Sequence, residues 1–184
     1  MDIKRKTEYY KEVSTVIPKK SVNYSCETYF KQERDWTCSI ACIRTMASKI
    51  MKEVPSEDFF IEAYELIPGP YYSKDIKEIG ILDELDVIYG CDMGEEDKDI
   101  NTIIDAIEDG YAIMIETMLN YAHWVVVLGY FIVGGSEDVE KHQILVYDPY
   151  YDNVRLLIAD ELLNMWIDGS YSETGVLKDF IAIK

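Results

Sequence analysis

The sequence predicts an α+β fold in two lobes, with helices first and antiparallel strands after, and three observations carry that prediction. Apolar residues recur at helical spacing before residue 110, as in Ile40, Ile43, Met46, Ala47 and Ile50, or Ile100, Ile103, Ile104 and Ile107. Beyond Gly110 the apolar runs become short and β-branched, most clearly in Trp124-Val125-Val126-Val127-Leu128. Turn-forming residues punctuate the runs, at Pro68-Gly69-Pro70, Gly134-Gly135-Ser136 and Asp148-Pro149.

Taken in order, residues 1–20 lack periodicity and read as an N-terminal arm or early edge strand. The remainder, residues 21–184, reads as one domain. Alternation through Val22, Tyr24, Cys26 and Tyr29 predicts a strand from Ser21 to Phe30. A helix follows over residues 38–52. A second begins at Pro55-Ser56-Glu57-Asp58 and runs to about Leu66, where the Pro-Gly-Pro stop ends it. A third spans Lys74–Leu85 despite Gly80. Val87–Tyr89 is a short strand, and Asp99–Glu108 an amphipathic helix closed by Gly110. Strands follow at Ala112–Thr117 and His123–Val133, with a hairpin tip at Gly134–Asp138 and a return strand at Gln143–Tyr147. Asn153–Leu157 is a further strand, Asp160–Trp166 a short helix and Asp179–Ile183 the closing strand.

Composition narrows the functional classes. The chain has 184 residues and a formal net charge of −17, against the basic surface that nucleic-acid binding requires. The first 20 residues carry six Lys/Arg and three acids, so the acidity belongs to the body of the chain. Such a field favours cationic peptides or amines as substrates, although a solvated acidic surface is the plainer account. No apolar run approaches the ~20 residues of a membrane span, and the basic start is not followed by an apolar signal region. A cytoplasmic location without nucleic-acid or membrane partners is therefore expected. The four cysteines, Cys26, Cys38, Cys42 and Cys91, form no metal-type pair and are read as free thiols. No phosphate loop, HExxH or EF-hand pattern is present, so no cofactor or metal is expected.

Four residues stand in the contexts that thiol chemistry needs: Gln32, Cys38, His123 and Asp148. A cysteine nucleophile requires a base for its proton, a group to orient that base, and a donor for the oxyanion. Cys38 lies where a loop becomes a helix, and a helix start stabilises a thiolate. Gln32 sits on that loop, where its amide is placed to donate to an oxyanion beside the Cys38 N–H. His123 opens an apolar strand, and Asp148 ends the next one, where a hairpin brings a carboxylate to the imidazole. Taken singly, each has a structural explanation: core cysteine, surface histidine, turn aspartate. Cys42, a helical turn after Cys38, is read as core, and His142 as surface. Trp124 belongs to either the pocket wall or the core, and Tyr71-Tyr72 and Tyr150-Tyr151 to turn packing or the cleft.

These segments resemble the papain-like cysteine peptidase superfamily, and more narrowly the stand-alone relatives of the bacteriocin-processing (double-glycine leader) peptidases. The likeness rests on Gln32 before Cys38, on His123-Trp124-Val125-Val126-Val127-Leu128-Gly129-Tyr130, and on Asp148-Pro149. Trp36-Thr37-Cys38-Ser39-Ile40-Ala41-Cys42 and Asp148-Pro149-Tyr150 are also similar to the family of guanylyl cyclase-domain proteins. The resemblance implies a papain-like two-lobe fold, with the nucleophile helix in an N-terminal helical lobe and an antiparallel sheet in the C-terminal lobe. It implies a thiol-dependent hydrolase that cleaves a peptide or small acyl substrate through a Cys38 acyl-enzyme, with His123 shuttling the proton. The alternatives are an acyl or peptidyl transferase on the same site, guanylyl cyclase-like nucleotide chemistry, or a non-catalytic binding module. Where that family has Asp-Cys-Gly, this chain has Thr37-Cys38-Ser39, which places an extra side chain near the expected entrance.

Overall fold

The computed structural model describes residues 18–23, 26, 28–118, 122–133, 142–167 and 177–184. In chain order these contain β1 (Pro18–Asn23), α1 (Cys38–Ala47), α2 (Glu57–Ala63), α3 (Ser73–Ile79) and β2 (Val87–Tyr89). After two 3₁₀ turns come α4 (Ile100–Glu108), β3 (Ala112–Met118), β4 (Ala122–Val133), β5 (Gln143–Asp148), β6 (Asn153–Ile158), α5 (Ala159–Met165) and β7 (Phe180–Ile183). The fold is α+β. Its seven strands make one sheet in the order β2-β7-β3-β4-β5-β6, with β1 added on β4, and every described pairing is antiparallel.

The twelve-residue β4 organises the sheet. Its first half pairs with β3, from Met118↔Ala122 to Ile113↔Val127. Its second half pairs with β1, from Asn23↔Gly129 onward, so the two shorter strands share one edge of β4 end to end. Along the other edge runs β5, with a register shift between Val127 and Gly129. Six consecutive residues of β3 are buried. Neighbouring side chains on a strand point to opposite faces, so the sheet centre is covered on both sides. Helices α1 and α4 pack on β3 and β4, and α5 packs on β5 and β6. The core is a single apolar cluster that runs from Ile40 and Ile43 of α1 through Val125–Leu128 to Ile181–Ile183.

Local chemistry sets the helix limits. Ser56 caps α2 by accepting from Phe59 N at 3.1 Å, as its Pro-Ser-Glu-Asp start predicts. Asp99 caps α4, accepting from Asn101 N at 2.8 Å and Thr102 N at 3.2 Å, while the Thr102 hydroxyl accepts from Asp99 N at 3.1 Å. The predicted helix over 38–52 stops at Ala47. There the Ser48 hydroxyl accepts from Thr28 N at 3.1 Å and reaches Thr45 O at 2.7 Å, a tertiary tie that periodicity does not reveal. The helix predicted over Lys74–Leu85 is shorter, because Gly80 adopts φ 77° and closes it after Ile79. The first strand is Pro18–Asn23, not Ser21–Phe30. Pairing along β4 draws it into residues 18–20, within the stretch read as an arm or early edge strand. The hairpin tip at Gly134–Asp138 and residues 1–17 of the arm lie outside the described residues. None of the described helices is long and apolar enough to cross a membrane.

Candidate active site

The site is built where the start of α1 meets the ends of β4 and β5. A turn prepares the helix start. The Arg34 carbonyl accepts from Thr37 N at 3.2 Å and from the Thr37 hydroxyl at 2.9 Å, which places Cys38 at the first helical position. Backbone N–H groups there have no intrahelical partner and leave partial positive charge beside the thiol. Beneath the turn, fully buried Glu57 accepts from Glu33 N at 3.1 Å and from the Arg34 guanidinium at 3.3 Å. That carboxylate fixes the loop before Cys38 onto α2.

His123 and Asp148 come from neighbouring strands. Since Val126 pairs with Tyr147, one further step puts Asp148 opposite Val125, on the face that His123 shares. His123 Nε2 lies 2.9 Å from Asp148 Oδ1, with the histidine 4% and the aspartate 1% exposed. Cys38 also acts on the ring, its hydrogen bond and charge favouring the imidazolium. With Nε2 committed to the carboxylate, Nδ1 is the nitrogen left to face sulfur. Asp148 Oδ1 also accepts from Tyr150 N at 3.0 Å and Tyr151 N at 3.4 Å, and the Arg155 guanidinium approaches Oδ2 at 3.4 Å. The Tyr150 ring stands edge-on to the imidazole, centroids 6.4 Å apart.

These contacts decide the protonation states. Burial opposes an imidazolium at His123, yet the hydrogen bonds and charges of Asp148 and Cys38 outweigh it and push the pKa up to about 9. Burial likewise opposes the Asp148 carboxylate, but the His123 hydrogen bond and charge, with the Tyr151 and Tyr150 amides, hold it below the ordinary value. At neutral pH the pair is therefore imidazolium and carboxylate. Burial disfavours the thiolate at Cys26, Cys42 and Cys91. Burial pushes Cys26 up to about 11, raises Cys42 far above its ordinary value and raises Cys91. Cys42 is fully buried in the core, as its position on α1 predicts.

The structure thus brings together Cys38, His123 and Asp148. Gln32 arrives beside the aspartate turn, where its backbone N–H donates to Pro149 O at 3.1 Å. Its side-chain Nε2 donates to Arg34 O at 2.8 Å, and its buried Oε1 has no hydrogen-bond partner among the described residues. Gln32 and Tyr150 line a separate depression, whereas Cys38 opens onto a cleft of about 280 Å³ with Trp36, Tyr71, Glu116 and Trp124 in its wall. Ser39 does not crowd the entrance. It is 1% exposed and turned into the protein. His142, read as a surface residue, is buried; its carbonyl accepts from Ala159 N at 2.7 Å where β5 meets α5.

Trp124 serves both roles the sequence offered: it is 3% exposed, donates from Nε1 to Tyr71 O at 2.9 Å, and still borders the cleft. Two residues escaped the sequence reading. Arg155 sits on an exposed strand with nothing local to mark it. Glu116 left a signal, being the one charged residue in the largely apolar run Ala112–Met118. Among the described residues no group of three or more His, Cys, Asp or Glu side chains is placed to hold a metal ion. A scan against known protein-family models finds no match, and a search of curated proteins finds none.

Proposed function

We propose that this chain is a thiol-dependent hydrolase of papain-like, two-lobe design, acting on a peptide or other acyl substrate through Cys38. The single observation that carries the reading is the order of contacts Cys38, His123, Asp148, with Nε2 taken by the carboxylate and Nδ1 left for sulfur. A base oriented in this way, beside a thiol at a helix start, is what nucleophilic cysteine chemistry needs.

In this mechanism the Cys38 thiolate attacks the substrate carbonyl carbon. A C–S bond forms and the carbonyl electron pair moves onto oxygen. The backbone N–H at the start of α1 stabilises that oxyanion, and we assign the Gln32 amide proton not given to Arg34 as a further donor. The His123 imidazolium passes its Nδ1 proton to the leaving nitrogen as the C–N bond breaks, leaving an acyl-enzyme. Water then attacks the acyl carbon, returns a proton to Nδ1 and displaces the thiolate. Asp148 holds the ring and stabilises its charge throughout. Four free thiols suit a reducing, cytoplasmic compartment.

The test is intact mass after brief iodoacetamide treatment at pH 6, for the wild type, Cys38→Ala and His123→Ala. One rapid label is expected, absent in Cys38→Ala and slow to form in His123→Ala. Slow labelling spread over several cysteines in the wild type refutes the reading.

A further inference from the structure

Arg155 brings a charge to the site that the proposed reaction has not used. β5 and β6 pair Asp148 with Asn153 and Val146 with Arg155, so the arginine stands diagonally behind the aspartate on the same face of the sheet. A long side chain spans that diagonal. Its Nη2 comes to 3.4 Å from Asp148 Oδ2, with the arginine side chain 35% and the aspartate side chain 2% exposed. Two further contacts hold the guanidinium there. Its Nε donates to Asn153 Oδ1 at 3.2 Å, and it lies over the Tyr151 ring, 4.7 Å from the centroid.

The two oxygens of Asp148 have different neighbours. Oδ1 accepts from His123 Nε2 and from the Tyr150 and Tyr151 amides, whereas Oδ2 faces Arg155. At 3.4 Å the Arg155 contact is longer than a charge-assisted hydrogen bond, so it supplies charge more than direction. That charge matters because the reaction takes His123 between imidazolium and imidazole. Each time the ring gives its proton away, Asp148 loses its nearest counter-charge. A buried carboxylate without one is costly and is driven to take up a proton, and a protonated Asp148 no longer fixes the ring through Nε2. Arginine is the side chain whose charge does not follow pH. Among the described residues, the other ionisable groups that bear on the pair are neutral or negative: Cys38 and Cys42 from α1, Tyr147 from β5, and Tyr150, Tyr151 and Asp152 from the turn. Lys31 and Arg34 line the depression beyond Tyr150, and Arg34 is paired with Glu57 and Asp58.

We propose that Arg155 is a positioning residue: its guanidinium keeps Asp148 an ionised acceptor for Nε2 while His123 is uncharged, and opposes the imidazolium while His123 is charged. The proposal rests on the Cys38 hydrolase reading, whose reaction uses both states of the ring, and adds a residue to it. A charge and a mere support have opposite consequences. If Arg155 served only as packing, its loss would loosen Asp148, weaken the bond to Nε2 and lower the His123 midpoint. As a cation on the far side of the carboxylate, its loss relieves the imidazolium and raises the midpoint.

The experiment is a proton NMR titration of His123 in the wild type, Arg155→Gln, Arg155→Met and Arg155→Lys. The two neutral variants, one polar and one apolar, are expected to raise the midpoint by about half a pH unit, the size of one partly screened charge beyond the carboxylate. Arg155→Lys is expected to return most of that shift. A midpoint that stays or falls in the neutral variants overturns the proposal, and so does a rise that lysine fails to reverse. Iodoacetamide on the wild type separates the two readings. If it labels Cys38 rapidly while the midpoint ignores Arg155, the hydrolase stands and the positioning role fails. If it labels slowly and without selectivity, the hydrolase reading itself is refuted and the positioning role falls with it.

Discussion

Replacing Asp148 by asparagine isolates the electrostatics of the site, because the side chain keeps its shape and loses only its charge. The His123 pKa of about 9, against an ordinary 6.5, amounts to about 3 kcal/mol of preference for the imidazolium at ~1.4 kcal/mol per unit. Both partners are nearly buried, so solvent does little to screen them. Hydrogen bonds to a charged acceptor are roughly twice as strong as those to a neutral one. Asp148→Asn therefore lowers the His123 pKa by about one unit or more, about 1.4 kcal/mol, while Cys38 continues to support the charge. The assay is a proton NMR titration of imidazole resonances in untagged protein. The chain has only two histidines, and His123→Ala identifies which signal is which. A wild-type His123 midpoint at or below 6.5, or a midpoint unmoved by Asp148→Asn, would refute the reasoning.

The same shift predicts a stability profile. A folded-state pKa raised above the unfolded value means that the His123 contribution, up to about 3 kcal/mol, is fully present below pH 6.5 and is lost as pH rises through about 9; urea melts across that window should show the fall in wild type and a flatter curve in Asp148→Asn. Glu57→Ala removes a buried acceptor from Glu33 N and Arg34, and should cost about 1–3 kcal/mol in urea melts while slowing Cys38 alkylation, because the nucleophile loop loses its tie to α2. Gly90→Ala would bring a Cβ to 2.7 Å from Phe180 N and 2.8 Å from Asp179 Oδ1; a loss of about 1–3 kcal/mol is expected, and unchanged stability would show that β7 can yield there.

How much of this was readable before the structure depends on where each cause lies. The α4 helix was legible because its cause is local: Ile100, Ile103, Ile104 and Ile107 define one face, and Asp99 and Gly110 punctuate it. The His123–Asp148 contact was legible because antiparallel pairing carries the end of β5 back towards the start of β4. The end of α1 was not, since Ser48 answers to Thr28 across the molecule. Nor was β1, whose place is set by the length of β4 that β3 leaves uncovered. Gln32 was found by its spacing from Cys38, but spacing does not say that its amide turns first to Arg34. Glu116 shows the opposite error. A lone acid in a buried strand is costly unless something there uses it, and that cost was visible in the sequence.

The union of Gln32 with Pro149 joins segments separated by most of the chain, and His123 and Asp148 both lie in its last third. During synthesis, the segment that carries Cys38 leaves the ribosome long before His123 and Asp148 do. A nascent or truncated chain that ends before Asp148 presents Cys38 without the carboxylate that holds His123. Whatever reactivity the thiol draws from its partners is withheld until β5 is made and paired. On the proposed hydrolase reading, the order of residues along the chain thus acts as a timer, delaying the chemistry until the fold that confines it exists.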